Sequence, residues 1–143
     1  MPLNGYQSLC KDHQEKIVCR DKGESRIYRA LNLDGCRVTQ YQIDGCVIRE
    51  ASMRCDFLLM NEDKRNAYLI ELKGSDIEHA IEQLEATAQR LHNELKPYRV
   101  KYRLVHSRAK THAINSTRFK KFCRRHSQRG EFIHKEGVLE EKI

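Results

Sequence analysis

The clearest hydrophobic pattern in the chain is a pair of apolar runs on either side of a short polar segment. The first run is 55–60 (Cys-Asp-Phe-Leu-Leu-Met) and the second is 67–73 (Ala-Tyr-Leu-Ile-Glu-Leu-Lys). Apolar runs with aromatic residues that bracket six polar residues are typical of a β-hairpin with a longer loop. A symmetric loop pairs Met60 with Ala67. Both strands are apolar on their two faces, which predicts a central position in a covered sheet.

The predicted register collects charged side chains at one end of this hairpin. Counting back from Met60 and Ala67 puts Asp56 across from Glu71, with Cβ atoms about 5 Å apart. Side chains alternate along a strand, so Lys73 projects on the same face as Glu71. Two carboxylates this close repel each other once water is removed, and a positive group should lie between them. With Lys73 in that role the group is a salt-bridged strand end, and with a divalent cation it is a metal site.

The motif formed by Asp56, fourteen further residues and Glu71-Leu72-Lys73 resembles that of the PD-(D/E)xK nuclease superfamily. The resemblance covers about residues 25–125 and implies a restriction-endonuclease-like α/β fold, bordering on α+β, with a mixed central sheet flanked by helices. It implies that Asp56 and Glu71 bind Mg²⁺ or Mn²⁺ and that Lys73 orients or activates the attacking water. The proline that often precedes the Asp in this superfamily is Cys55 here.

The resemblance suggests two further kinds of site residue. The superfamily usually carries another acid upstream of the Asp, and Glu24, Asp44 and Glu50 are the candidates, with Asp44 preferred as a metal ligand. A turn at Asp44-Gly45 explains Asp44 equally well. In several branches a Gln on the helix after the Glu-x-Lys strand reaches the active site, and Gln83 occupies a similar place. A solvated position on the helix flank is the alternative for Gln83.

Further strands are predicted by alternating or β-rich segments at 25–31, 38–43, 98–106 and 131–134, and a helical turn is the alternative for 25–31. The Asp44-Gly45 turn predicts a return strand at 46–48. The 98–106 segment alternates apolar with cationic residues, so one face of that strand should be apolar and the other cationic.

Two helices are predicted from apolar residues spaced three and four apart. The longer covers 75–95, with Ser75 as its N-cap. The shorter covers 116–126 and directs Phe119 and Phe122 inward.

The length of 143 residues is most simply one compact domain. Residues 1–24 are polar and hard to assign, with a possible short helix at 12–19. Residues 25–134 form the nuclease-like domain, and 135–143 is expected to be a loose tail.

The chain is 39% hydrophobic and 33% charged, and no apolar run approaches the ~20 residues of a membrane helix. We expect an intracellular, cytoplasmic protein without a membrane partner. The six cysteines match no zinc-site spacing and are expected to be mostly buried free thiols.

The net charge of +7 is distributed unevenly, because residues 96–130 contain twelve Lys or Arg and no Asp or Glu. Such segregation indicates a polyanionic partner, with nucleic acid preferred over acidic lipid. Few aromatic residues accompany these cations, which favours duplex or branched DNA over single strands, and DNA is preferred over RNA. The predicted nucleic-acid contacts are Arg99, Lys101, Arg103, Lys120, Lys121, Arg124 and Arg125.

Analogy with the superfamily suggests a homodimer or a subunit of a larger complex. Two other functions stay open on the sequence. The first is a nucleic-acid-binding module that keeps the fold without catalysis, and the second is a protein-interaction module whose basic region docks an acidic partner. The seven histidines form no recognisable motif and are predicted to be surface or packing residues.

Overall fold

The computed structural model describes residues 3–44, 46–47, 55–73, 76–107 and 116–143, and for Lys73 it describes the main chain only. Within these residues the strands are β1 Lys16–Cys19, β2 Ile27–Leu31, β3 Val38–Gln42, β4 Phe57–Asn61, β5 Asn66–Lys73, β6 Arg99–His106, β7 Phe132–Glu136 and β8 Val138–Lys142. The helices are α1 Ile77–Arg90, α2 His92–Leu95 and α3 Thr117–Arg125.

A five-stranded mixed sheet with the order β3-β4-β5-β6-β7 forms the centre of the fold. The first three of these strands pair antiparallel, and β5, β6 and β7 pair parallel. Parallel neighbours need a crossover connection, which α1 and α2 provide between β5 and β6. The segments predicted as strands at 25–31, 38–43, 98–106 and 131–134 correspond to β2, β3, β6 and β7.

The central sheet is covered by different layers on its two faces. Leu58, Met60, Ala67 and Leu69 pack with buried residues of α1 and α3. The opposite face, which includes Phe57, Leu59, Tyr68 and Ile70, packs on a second mixed sheet with the order β1-β2-β8. The mixed α and β class and the central hairpin are therefore confirmed, and helices of the described residues flank one face of the central sheet while a second sheet covers the other.

The two ends of the chain form most of this second sheet, which corrects two predictions. The helix predicted at 12–19 is wrong, because β1 alternates exposed and buried residues and pairs antiparallel with β2. The predicted loose tail is wrong as well. β8 pairs parallel with β2, and Leu139 and Ile143 are buried.

The predicted return strand at 46–48 is wrong over its described part. Cys46 and Val47 form a turn, and β3 pairs instead with β4, with Val38 opposite Asn61. Ile48 lies outside the described residues. The longer apolar run of β4 offers β3 a fully buried partner, which a three-residue segment does not.

Helix α1 begins two residues later than predicted and ends earlier. Asp76 is its N-cap and accepts the His79 N–H at 3.1 Å, whereas the predicted cap Ser75 lies outside the described residues. The helix ends at Arg90, and Leu91 separates it from α2. Helix α3 is confirmed, with Ser116 accepting the Phe119 N–H at 3.2 Å and with Phe119 and Phe122 buried.

All six cysteines are free, as predicted, and Cys10, Cys19, Cys36 and Cys55 are buried while Cys46 is exposed. Among the helices of the described residues, none is both long and apolar enough to cross a bilayer.

Candidate active site

The predicted register of the central hairpin is confirmed. Met60 pairs with Ala67 and Phe57 with Ile70, where the ladder ends, so the predicted pairing of Asp56 with Glu71 is not part of it. Asp56 itself lies just before β4, and its N–H bonds the Ile70 carbonyl at 3.1 Å. Both acids are therefore at one end of the central sheet, on neighbouring segments.

Asp56 is fixed in place by main-chain contacts on both sides. Its Oδ2 atom accepts the Leu72 N–H at 2.7 Å, and its carbonyl accepts the Ile43 N–H at 2.8 Å. The Asp56 carboxylate thus accepts a hydrogen bond from Leu72, the residue between Glu71 and Lys73, in place of a main-chain carbonyl. This is more than the strand cap expected for an ordinary salt-bridged end, because it ties the acid directly to the Glu-x-Lys segment.

The two acids share one buried environment. Glu71 is 1% exposed and Asp56 is 9% exposed. The pKa of the buried Cys55 thiol is raised well above its ordinary value, first by desolvation and then by the charges of Glu71 and Asp56. Two carboxylates at this depth need compensating positive charge, because an uncompensated buried charge is strongly unfavourable.

Helix α1 approaches the same end of the sheet through Thr87. The fully buried Thr87 Oγ1 accepts the Cys55 N–H at 2.7 Å and donates to the Gln83 carbonyl at 2.8 Å. The edge of α1 that carries Gln83 is thereby attached to the residue that precedes Asp56. Gln83 is half-buried rather than fully solvated. Its proposed place near the site is consistent with this attachment.

Lys73 is the last residue of β5 and pairs in register with His106 of β6. Its main chain therefore lies at the same sheet end as Asp56 and Glu71. The direction of its side chain stays a prediction from strand alternation.

A histidine pair that sequence reasoning missed lies beside this position. His106 Nε2 is 3.3 Å from His134 Nδ1, and the rings stack with centroids 5.5 Å apart. The Ser107 carbonyl is 2.7 Å from His106 Nδ1, so that nitrogen carries a proton and a neutral His106 presents Nε2 as an acceptor. Desolvation and then His106 lower the pKa of His134. Only the pairing of β6 with β7 brings these histidines together, and no sequence spacing signals it.

The upstream acid candidates lie at the ends of neighbouring elements. Asp44 is exposed and follows Ile43, the residue bonded to Asp56. Asp44 and Glu24 both raise the pKa of Asp21, after desolvation, and Glu24 is paired with Arg26 at 2.9 Å. Glu50 lies outside the described residues.

The donor set of Asp56 and Glu71 fits a hard divalent cation. Mg²⁺ takes oxygen ligands and typically keeps several waters beside one or two carboxylates and a substrate phosphate. Within the described part of the chain, no three His, Cys, Asp or Glu side chains form a metal-binding group, so Asp44 is not grouped with the two buried acids. The pair therefore suits a cation that completes its shell with water and phosphate oxygens.

The predicted cationic face of β6 is corrected at Arg103. This side chain is 2% exposed, is paired with Glu141 at 2.6 Å and stacks over Tyr68 at 5.3 Å. It donates further hydrogen bonds to the carbonyls of Tyr102 and Glu131. Arg103 is thus a buried structural cation beneath the second sheet and is removed from the predicted nucleic-acid contacts.

The other predicted contacts remain accessible. Arg99, Lys120, Lys121, Arg124 and Arg125 are exposed, and Lys101 is half-buried. Arg125 is partly neutralised, because Glu85 of α1 pairs with it and also with Arg118 at 3.0 Å. Glu85 therefore joins α1 to α3.

Comparisons with protein-family models, with curated proteins and with solved structures each found no match to this chain.

Proposed function

We propose that the protein is a metal-dependent nuclease that hydrolyses phosphodiester bonds in duplex or branched DNA. The observation that carries the proposal is the burial of two acids, Asp56 and Glu71, near the end of the sheet at which Lys73 also ends its strand. Burial of two acids is energetically costly, and it therefore favours a functional role for Asp56 and Glu71. The order of the three residues also matches the PD-(D/E)xK motif, which supports the proposal that the central sheet has a restriction-endonuclease-like fold.

Each group has a defined role in this proposal. Asp56 and Glu71 hold Mg²⁺ or Mn²⁺, and the hydrogen bond from Leu72 keeps the Asp56 carboxylate in a fixed orientation. Bound Mg²⁺ supplies Lewis-acid stabilisation of charge on the phosphate. Lys73 orients or deprotonates the attacking water. Water attacks phosphorus, one P–O ester bond breaks, and the leaving oxygen takes up a proton. Gln83 helps to position the water or the phosphate.

We assign the binding of the DNA backbone to exposed cationic residues of β6 and α3. Their charge is not matched by acids in the same segment, because residues 96–130 contain neither Asp nor Glu. A polyanion that binds by displacing counterions is the expected partner, and duplex DNA has the required charge density.

The test is a cleavage assay on supercoiled plasmid, four-way DNA, single-stranded DNA and RNA, with and without Mg²⁺. Wild-type protein should nick or cut DNA only with the metal. Asp56→Asn and Lys73→Met should abolish cleavage while DNA affinity, measured by gel shift without metal, stays within about two-fold. Exposed Lys22→Met is the matched control for Lys73→Met, and it should cleave normally.

Absence of cleavage by wild-type protein on every substrate, with DNA binding intact, would instead identify a binding module. Absence of both activities would point to a protein-interaction role.

A further inference from the structure

A cleft of about 470 Å³ opens at the start of β6, where β7 has not yet begun. Strand β7 pairs with β6 only from Tyr102 onward, so residues 99–101 have no partner on that side. The cleft is lined by four cationic residues, Arg99, Lys101, Arg125 and Arg129, and by the acidic residue Glu131, among others. We call this the β6 cleft. It is an accessible, polar site with four cationic side chains.

Of the four cationic side chains of the β6 cleft, Arg125 is paired with Glu85 and Lys101 lies over the Tyr68 ring at 5.8 Å. Arg99, Lys101 and Arg129 make no ion pair with any described residue, and Glu131 is held by His126 at 2.6 Å. The pKa of Lys101 is lowered first by desolvation and then by Arg103, with Glu141 acting in the opposite direction and Arg99 lowering it further. A lysine whose charge is disfavoured on balance has more to gain from an anionic ligand than an isolated surface lysine has.

The β6 cleft lies at the opposite end of the central sheet from the buried acids. Arg99 is seven residues before His106, which pairs with Lys73. At about 3.3 Å per residue, the two ends of β6 are ~23 Å apart. The buried acids and the β6 cleft thus lie at separate ends of the central sheet.

Helix α3 connects these two ends on the surface. Phe119, near its start, packs on His134 with ring centroids 5.2 Å apart, and Phe122 and His126 pack on Tyr102 at 5.3 and 4.4 Å. The helix therefore runs back along β6, from the end near His106 towards the β6 cleft. Its exposed cations form what we call the α3 track, which consists of Lys120, Lys121 and Arg124.

We propose that the β6 cleft is a phosphate-binding site for the same nucleic acid that reaches the buried acids by way of the α3 track. Successive phosphates on a DNA strand advance about 3.4 Å along the axis. A duplex has to extend about seven base pairs from the reacting phosphate to occupy both ends. The assignment of the reacting end rests on the proposed function, whereas the phosphate site in the cleft does not.

Fluorescence anisotropy measures the affinity for a series of duplexes from 5 to 14 base pairs in EDTA. It tests whether a minimum duplex length is needed to occupy both ends. The wild-type affinity should rise steeply once the duplex exceeds about 7 base pairs, because only then can one molecule contact both ends. Arg99→Ala/Arg129→Ala should remove that rise. The control Lys11→Ala/Lys16→Ala removes two exposed lysines from the other layer of the fold and should keep it.

Salt dependence on the 14-base-pair duplex gives an independent readout. Loss of two phosphate contacts should reduce the slope of log affinity against log salt by about 1.8. Equal melting temperatures of the two double variants establish that both are folded. A rise with length that persists in Arg99→Ala/Arg129→Ala, or an unchanged slope, would overturn the proposal.

The outcomes separate this inference from the nuclease proposal. If affinity rises with duplex length only when the β6 cleft is intact, and no Mg²⁺-dependent cleavage occurs, the phosphate site is supported and the nuclease proposal is rejected. If cleavage occurs but the rise in affinity does not depend on the cleft, the nuclease proposal is supported and the phosphate site is rejected.

Discussion

Asp56 accepts the main-chain N–H of Leu72 at 2.7 Å, which attaches this acid to the strand segment between Glu71 and Lys73. The contact converts a sequence motif spread over eighteen residues into one local unit. Movement of β5 relative to Asp56 would break a buried, charge-assisted hydrogen bond, so the geometry of the two acids is held by the fold itself. The candidate site is accordingly built on rigid strands rather than on a loop.

This hydrogen bond predicts different stabilities for two variants of Asp56. Asp56→Ala leaves the buried Leu72 N–H without its acceptor, at a cost of about 1–3 kcal/mol. Asp56→Asn keeps an amide oxygen that can accept the same bond and should lose clearly less. Urea unfolding of both variants measures the difference. Equal losses would show that the contact with Leu72 does not stabilise the strand end.

The His106–His134 pair predicts a dependence of stability on pH. The folded-state pKa of His134 lies below its ordinary value of 6.5 because of desolvation and then His106. The unfolded chain therefore binds the proton more tightly, and stability present above pH 6.5 falls as the pH decreases below it.

NMR titration should place the His134 midpoint below 6.5, and His106→Phe should move it only partly back, since desolvation is the larger cause. His134→Gln should reduce the loss of unfolding free energy between pH 7.5 and 5. A His134 midpoint at or above 6.5 would contradict this assignment.

Glu85 predicts a variant that binds DNA more tightly than the wild type. Its carboxylate pairs with Arg118 and Arg125, so Glu85→Gln releases Arg125 for phosphate contact, whereas Arg118 keeps a contact with Glu82 at 3.9 Å. The salt-dependence slope should increase by about 1, while the cost in stability stays below about 1 kcal/mol because the pairs are solvent-exposed. Glu78→Gln, an exposed acid in the first turn of α1, is the control and should change neither. Equal affinities for the two variants would contradict the prediction.

The central hairpin could be predicted from the sequence because its information is local. Two apolar runs and a polar loop define the strands, and one assumption about loop symmetry defines the register. The predicted pairing of Met60 with Ala67 is confirmed for that reason, whereas the predicted pairing of Asp56 with Glu71 is not, because the ladder ends at Phe57 and Ile70. The hydrogen bond from Leu72 was not predictable, because it depends on Asp56 leaving the regular ladder just before β4.

The second sheet could not be predicted because its pairing is remote. Ile27 of β2 pairs with Val138 of β8, and neither segment carries a local signal for the other. Because the second sheet was not predicted, the burial of Arg103 was not predicted either. Alternation along β6 indicates a solvent-facing cation, but the second sheet covers that face and supplies Glu141 as a buried partner.

Titration with Mn²⁺, followed by the EPR signal of the free ion, tests most directly whether Asp56 and Glu71 form one divalent-cation site. Wild-type protein should bind Mn²⁺ in competition with Mg²⁺, and the site should disappear in Asp56→Asn and in Glu71→Gln, while Glu78→Gln binds normally. Unchanged Mn²⁺ binding in the first two variants, or no binding by the wild type, would contradict the proposed metal site.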